Sequence, residues 1–433
     1  MQINRLVAAF WLALAAALVG YHMALVFSGL VPNLVSRPLH MAFILPFVFM
    51  IGATSRLMFW SGVVLTLLGV GAALWVAVNH NALADQYGFL EGPGQVAIAI
   101  VLLLVTLEAA RRAIGWPLPL VAGTALLYGL LGQYIPGQFG HSGTPLASFL
   151  GTLTIAEGGI WGQLTGVSVN VVAIFVIFGA VLNAGAAGQG FMNIAAAAAG
   201  HLKGGAAKVS VISSALFGSI SGSASANVAS TGAITLPAMT RLGYPKRLAA
   251  AVEAVASSGG QIMPPLMGAG AFIMVELTGV PYTAIMAAAI LPAVLYFWAV
   301  WVGINAYAQR YDLQGIAAED QPKRRDVIIT SLFFLVPFTV LMIAMFVVGY
   351  TPEYAAALAI LAGAALLLFD TELRVEPHAV ANRLKSAVMG AAKQVSMIAA
   401  IILCASIIIG VLSITGLGVK ITSLILEGAG GML

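Results

Sequence analysis

The apolar residues of this chain come in long runs, not in the ten-residue alternation of a barrel strand. Segments of spanning or near-spanning length fall at 6–30, 39–54, 57–78, 94–112, 117–134, 168–188, 248–279, 282–306, 327–349, 353–370 and 387–414. Only a helix satisfies every backbone polar group within such a run, so each is read as helical. The run 39–54 is short for a crossing, and 248–279 is interrupted by Gly259, Gly260, Pro264 and Pro265. Residues 209–238 differ. Two apolar arms, 209–217 and 233–239, are each too short to cross and flank the polar run GSISGSASANVASTG, which predicts a re-entrant hairpin. The pattern predicts an all-α membrane protein with about eleven transmembrane helices and one re-entrant hairpin.

Composition supports a lipid solvent. Of the 433 residues, 61% are hydrophobic and 8% are charged, and the mean hydropathy is +1.02. Soluble domains carry about a quarter charged residues. The 48 glycines fit close helix packing and broken helices. The run after Arg5 is too long for a signal peptide and reads as an uncleaved first helix. Cys404, the single cysteine, lies inside an apolar run, so it has no disulfide partner and is expected to be packed.

The net charge of +4 is no nucleic-acid footprint, because the basic residues sit in short loops between runs. With the N-terminus inside, nearly all of them fall on the cytoplasmic side, and only Arg37 and Lys420 break the pattern. The hairpin then opens to the cytoplasm. Five crossings separate it from the chain end, so a second hairpin after Lys420 would enter from the opposite side, as in an inverted-topology repeat. Gly179, Gly185 and Gly200 recur in spacing as Gly410, Gly416 and Gly431. That offset puts a second hairpin beyond Leu433, so the chain is expected to stop before its own second half.

Two segments carry candidate chemistry. The run Gly218–Gly232 is expected to be an irregular tip whose hydroxyl and amide oxygens suit a hard cation such as Na⁺. Small residues there would also serve plain helix packing. In SSGGQIMPP, Ser257 to Pro265, the two prolines remove backbone donors and should open the helix. Freed carbonyls of Gly260 and Met263, with the Gln261 side chain, are then candidate ligands. Glu253, about two turns earlier in an apolar helix, is either a proton carrier or the partner of Lys246 or Arg247.

Other chemistries lack their residues. The six histidines are dispersed, so no clustered metal set is expected beyond a Na⁺ site. There is no Walker-type phosphate loop, and the stretch Gly162–Ser168 is a helix entry. An intramembrane serine hydrolase would need a basic partner at depth, and His22 is the only histidine expected there.

The stretches HLKGGAAKVSVISSALFGSISGSASANVASTG at 201–232, MTRLGYPKRLAAAVEAVASSGGQIMPP at 239–265 and VLSITGLGVKITSLIL at 411–426 resemble the tripartite ATP-independent periplasmic (TRAP) transporters. The resemblance is to the TAXI-type fused permeases. It implies a small-subunit-like four-helix region at 1–115 and a large-subunit-like region at 116–433. The latter would hold hairpin 209–238, broken helix 248–279 and the start of a second repeat at 387–433. It further implies the first half of an elevator transporter, driven by a Na⁺ or proton gradient without other cofactors. A periplasmic binding protein would deliver a small organic anion, typically a carboxylate. Carried over, the cation site falls on Ser221, Ser223, Gly260, Met263 and Pro265. Asn227, Ser225 and Gln261 are the substrate-side candidates.

The expected function is therefore gradient-driven symport across a bacterial or archaeal cytoplasmic membrane, completed by a missing second half of the permease. A permease working without a binding protein is the first alternative, and a truncated non-transporting scaffold subunit is the second. No enzymatic role is expected.

Overall fold

The computed structural model describes residues 2–264 and 269–428, and among these there is no strand. The helices are α1 (Gln2–Phe27), α2 (Asn33–Met50), α3 (Arg56–Val78), α4 (His80–Asp85), α5 (Gly92–Ile114), α6 (Pro117–Leu131), α7 (Leu146–Thr154), α8 (Gln163–Val167), α9 (Ala173–Ala184) and α10 (Ala187–Ala199). They continue as α11 (Gly205–Ser221), α12 (Ala224–Arg241), α13 (Lys246–Gly259), α14 (Ala269–Thr278), α15 (Tyr282–Arg310), α16 (Arg324–Phe346), α17 (Pro352–Leu366), α18 (Pro377–Thr415) and α19 (Leu417–Gly428). A π-helical turn, Ser168–Val172, joins α8 to α9.

Among the described residues, eight helices are long and apolar enough to cross a membrane: α1, α2, α3, α5, the Gln163–Ala184 stretch, α15, α16 and α18. The three remaining apolar runs fall in α6 and α17, of 15 residues each, and in the broken pair α13 and α14. In α15 only 11% of the most apolar stretch is buried, and Leu291 and Trp298 are about two-thirds exposed. Water would not tolerate such a face, so lipid is its solvent.

The chain divides into two compact units. One comprises Met1–Val19 and Ile174–Ala391, the other Gly20–Ala173 and Ala392–Leu433. In the second unit Arg112 organises the packing of α2, α3 and α5. Its guanidinium donates to Phe49 O and Met58 O at 3.0 Å each, to Ser61 Oγ at 2.9 Å and to Glu108 Oε1 at 2.8 Å. One side chain thus satisfies a carbonyl that helix geometry leaves unpaired at the end of α2 and adds a bond to Met58 O in the first turn of α3. Cys404 is fully buried against Ala110 and Ala122, as expected of a packed thiol.

The two basic residues that break the charge pattern are both tied down in this unit. Arg37 is buried, donates to Trp161 O and lies 3.6 Å from Glu157 Oε2. Lys420 donates to Gly140 O at 2.5 Å. Local contacts hold them, which a rule about loop charge does not anticipate.

One expectation is corrected here. His22 is not the only deep histidine, because His40 is fully buried beside it, with His22 Nε2 and His40 Nδ1 at 2.8 Å. His40 Nε2 lies 3.1 Å from Ser168 Oγ, in the π-helical turn. His40 stands at the edge of its apolar run, so hydropathy alone assigned it to the interface.

In the first unit α10 packs against α11 and α16, with Asn193 Nδ2 donating to Thr330 Oγ1 at 3.1 Å. The hairpin helices α11 and α12 pack on each other and on α13. Tyr296 of α15 donates to Val255 O of α13 at 2.7 Å.

Candidate functional site

The polar run at 218–232 is not the irregular tip expected from its composition. Gly218–Ser221 complete α11, and Ala224–Gly232 form the first half of α12. Only Gly222 and Ser223 lie between the helices. Gly222 takes φ +58°, a left-handed conformation that glycine adopts without strain. Ser223 then caps α12, its hydroxyl accepting from Ala226 N at 3.3 Å. Alternating alanine and serine after a good cap sustains a helix, and that local preference overrides the polarity of the run.

The break in the third helix lies where the sequence puts it. α13 ends at Gly259, a 3₁₀ turn covers Gly260–Ile262, and extended backbone follows at Met263. The Gly260 carbonyl accepts from Met263 N at 3.2 Å, so the 3₁₀ turn uses one of its two lone pairs. Gly260 is buried against the hairpin. A Cβ added there would stand 2.7 Å from both Gly218 Cα and Asn227 Nδ2. Backbone therefore meets backbone, and only glycine allows it.

Asn227 joins the three helices. Fully buried, it donates from Nδ2 to Ser214 O of α11 at 2.8 Å and to Ser257 O of α13 at 3.4 Å. Ser221, Ser223 and Ser225 cluster at the turn, with Ser223 and Ser225 hydroxyls 3.2 Å apart and Ser223 N donating to Ser221 Oγ at 3.5 Å. Gly260 is thus brought against Asn227, and the three serines gather at the mouth of the hairpin. Met263 is half-buried, and Gln261 is exposed and makes no hydrogen bond among the described residues. Pro265 lies outside the described residues.

Of the two expectations for Glu253, the ion pair with Lys246 or Arg247 does not form. The residue is 1% exposed. Its carboxylate accepts from Ser210 Oγ at 2.8 Å, from Ser257 Oγ at 3.3 Å, and from the hydroxyls of Thr231 and Thr235. Ser214 Oγ stands 3.3 Å from Thr231 Oγ1 and 3.4 Å from Ser257 Oγ, extending the hydroxyl cluster. The reading of the sequence missed Ser210, Ser214 and Thr235. Their signal was present as four-residue spacings on three helices, Ser210/Ser214, Asn227/Thr231/Thr235 and Glu253/Ser257, each a stripe on one helix face.

Beside the hairpin, in the same unit, is a cavity of about 1100 Å³. Its lining includes Gln189, Asn193, Thr235, Arg241, Arg325 and Arg374. Arg374 pairs with Glu372 at 2.8 Å, while Arg241 and Arg325 carry no ion pair among the described residues. Thr235 faces both this cavity and Glu253.

A helical membrane protein whose paired short helices meet a broken helix through glycine contacts is built like a carrier permease. Residues 100–433 match the family model described as the tripartite ATP-independent periplasmic transporter, DctM component, and the chain belongs to that family. It is 26% identical over 204 residues to the C4-dicarboxylate TRAP transporter large permease protein DctM of Pseudomonas aeruginosa, covering 46% of each chain. It is 29% identical over 188 residues to the isethionate TRAP transporter permease protein DctMQ of Oleidesulfovibrio alaskensis, covering 42% of this chain and 30% of that one. The "Uncharacterized protein YgiK" of Salmonella typhimurium is 27% identical over 214 residues, 49% of this chain and 48% of its own length. The matched stretch thus spans about half the length of these relatives, or less.

Proposed function

We propose that this chain is permease machinery of a gradient-driven importer for a small organic anion, handed over by a soluble periplasmic binding protein. The observation that carries the reading is the convergence on Asn227, whose amide ties α11 and α13 together where Gly218 meets Gly260. A coupling cation, Na⁺ or a proton, is taken to bind there, between the serine-bearing turn and the break. Ser221, Ser223, Gly260, Met263 and Pro265 are its ligand candidates, and Ser225, Asn227 and Gln261 face the substrate. Should a proton be the coupling ion, Glu253 is its carrier.

A carboxylate or sulfonate substrate is supported by the named relatives, whose printed substrates are C4-dicarboxylates and isethionate. The adjoining cavity offers such an anion the guanidiniums of Arg241 and Arg325, on a wall that also carries Asp320, Asp326 and Glu372. We read residues 1–115 as small-subunit-like, in the TAXI-type fused arrangement. The family match begins at residue 100, after α1, α2 and α3, which leaves those helices outside the large-permease match. Loop charge supports the N-terminus lying in the cytoplasm and the chain in the inner membrane.

The test is uptake of labelled dicarboxylates and sulfonates into proteoliposomes holding the permease. The cognate binding protein is added outside, under an imposed Na⁺ or proton gradient. Uptake that needs both the gradient and the binding protein is the expected result. Uptake indifferent to the binding protein would put the chain with carriers that bind substrate directly.

A further inference from the structure

The Asn227 site has a feature that carboxamides, hydroxyls and carbonyls do not explain. Every candidate ligand there is neutral, yet a cation that sheds its water inside a membrane protein keeps its charge. Neutral oxygens stabilise it less than a site that also holds a negative group, because low dielectric lengthens the reach of charge. Glu253 is the carboxyl group hydrogen-bonded into this cluster. It lies one residue from Asn227 by two routes. Thr231 Oγ1 donates to Glu253 and lies 3.5 Å from Asn227 Oδ1. Ser257 donates to Glu253 through its hydroxyl at 3.3 Å and accepts from Asn227 through its carbonyl at 3.4 Å.

No cation among the described residues pairs with it. On α11, Lys208 is buried but sets its ammonium over the Trp301 ring, 4.9 Å from the centroid. On α12 and α13, Arg241, Lys246 and Arg247 form no ion pair with Glu253. On α15, Tyr296 is engaged with Val255 O. Four hydroxyls, those of Ser210, Thr231, Thr235 and Ser257, surround the carboxyl group.

We propose that Glu253 is the counter-charge of the cation site at Asn227 and Gly260, acting through space on a monovalent cation that it does not itself bind. The carboxylate is thus a positioning and affinity-setting residue. Thr231 and Ser257 hold it at fixed distance from the cation and relay hairpin geometry to it. The assignment rests on the proposed cation site and adds to it the origin of its affinity.

The test is Na⁺-dependent thermal stabilisation of the purified chain in detergent, with K⁺ and choline as controls. Glu253→Gln keeps the size of the side chain and removes its charge. It should raise the half-saturating Na⁺ concentration by about tenfold or more. Thr235→Val keeps the charge and removes one hydroxyl. It should lower the midpoint without Na⁺ yet leave half-saturation within about twofold, a split that a purely structural Glu253 would not produce. Equal shifts in half-saturation for both variants would overturn the counter-charge. So would an unchanged Na⁺ response in Glu253→Gln, even if proton-driven uptake were lost. Should Glu253→Gln fail to fold, a Thr235→Val shift beyond twofold overturns the assignment and an unmoved value upholds it. A wild-type chain indifferent to Na⁺ would overturn the cation site itself, which separates that failure from the failure of the charge assignment.

Discussion

Gly218 and Gly260 meet backbone to backbone, and through that contact the first hairpin helix touches the break in α13. A Cβ at Gly218 would overlap the Gly260 main chain, and one at Gly260 would press on Gly218 Cα at 2.7 Å. Gly218→Ala should therefore push the hairpin off the break and cost about 1–3 kcal/mol, with loss of any Na⁺ stabilisation. Gly71→Ala, where an added methyl meets nothing within 4 Å, should be neutral or stabilising. Thermal unfolding of the two variants in detergent checks the contrast, and equal midpoints would refute the contact.

Ser221 and Ser223 are separated by one residue but do different work. Ser223 caps α12, so Ser223→Ala should lower stability by about 1 kcal/mol and also weaken cation dependence. Ser221→Ala should weaken cation dependence at unchanged stability. Parallel measurement of melting and of ion-dependent uptake in the complete permease separates the two roles. Unchanged ion dependence in Ser221→Ala would remove that serine from the site.

Arg112 makes bonds to two backbone carbonyls, one hydroxyl and Glu108, a set that a lysine cannot reach together. Arg112→Lys should cost about 2 kcal/mol through carbonyls left under-satisfied at the α2–α3 junction. The readout is the detergent melting midpoint, and a loss no greater than for an exposed Arg→Lys control would argue against this role.

His40→Phe removes two bonds at once, to His22 and to Ser168. Leaving those buried polar atoms short of a partner should cost about 1–3 kcal/mol. His40→Gln, which retains a donor and an acceptor, should recover part of it. Melting of the two variants checks the order, and Gln no better than Phe would contradict it.

Asp370, in the loop after α17, accepts the backbone N–H groups of Arg374 and Glu372, which hold its carboxyl below the usual carboxylate range. A lowered folded-state value means the turn is favoured above the unfolded value and is lost as pH falls through the folded one. Hydrogen exchange at the Glu372 and Arg374 amides, taken relative to the intrinsic rate that itself falls in acid, should quicken as pH drops for that reason. Asp370→Asn should quicken it at neutral pH already.

Much of this architecture is legible one residue at a time. The runs of apolar residues announced every helix long and apolar enough to cross a membrane among the described residues, and Gly259, Gly260 and Pro264 announced the break, because proline and glycine act on the local backbone. The hairpin at 209–238 was legible as a departure from spanning hydropathy. Its turn was not, since composition pointed to fifteen irregular residues where Ser223 and the alanines after it continue a helix.

What the sequence by itself determined is the solvent, the helices and the place of the break, all consequences of local polarity and backbone freedom. Tertiary structure alone decided which polar groups share a neighbourhood. Glu253 could have met Lys246 or Arg247 by sequence distance, yet packing of α11 and α12 on α13 surrounds it with Ser210, Thr231 and Thr235. His40 likewise became a buried partner of His22 only when α2 packed. Inside a membrane protein an unmatched polar group is costly, so the fold is selected by pairings between distant residues that no local pattern encodes.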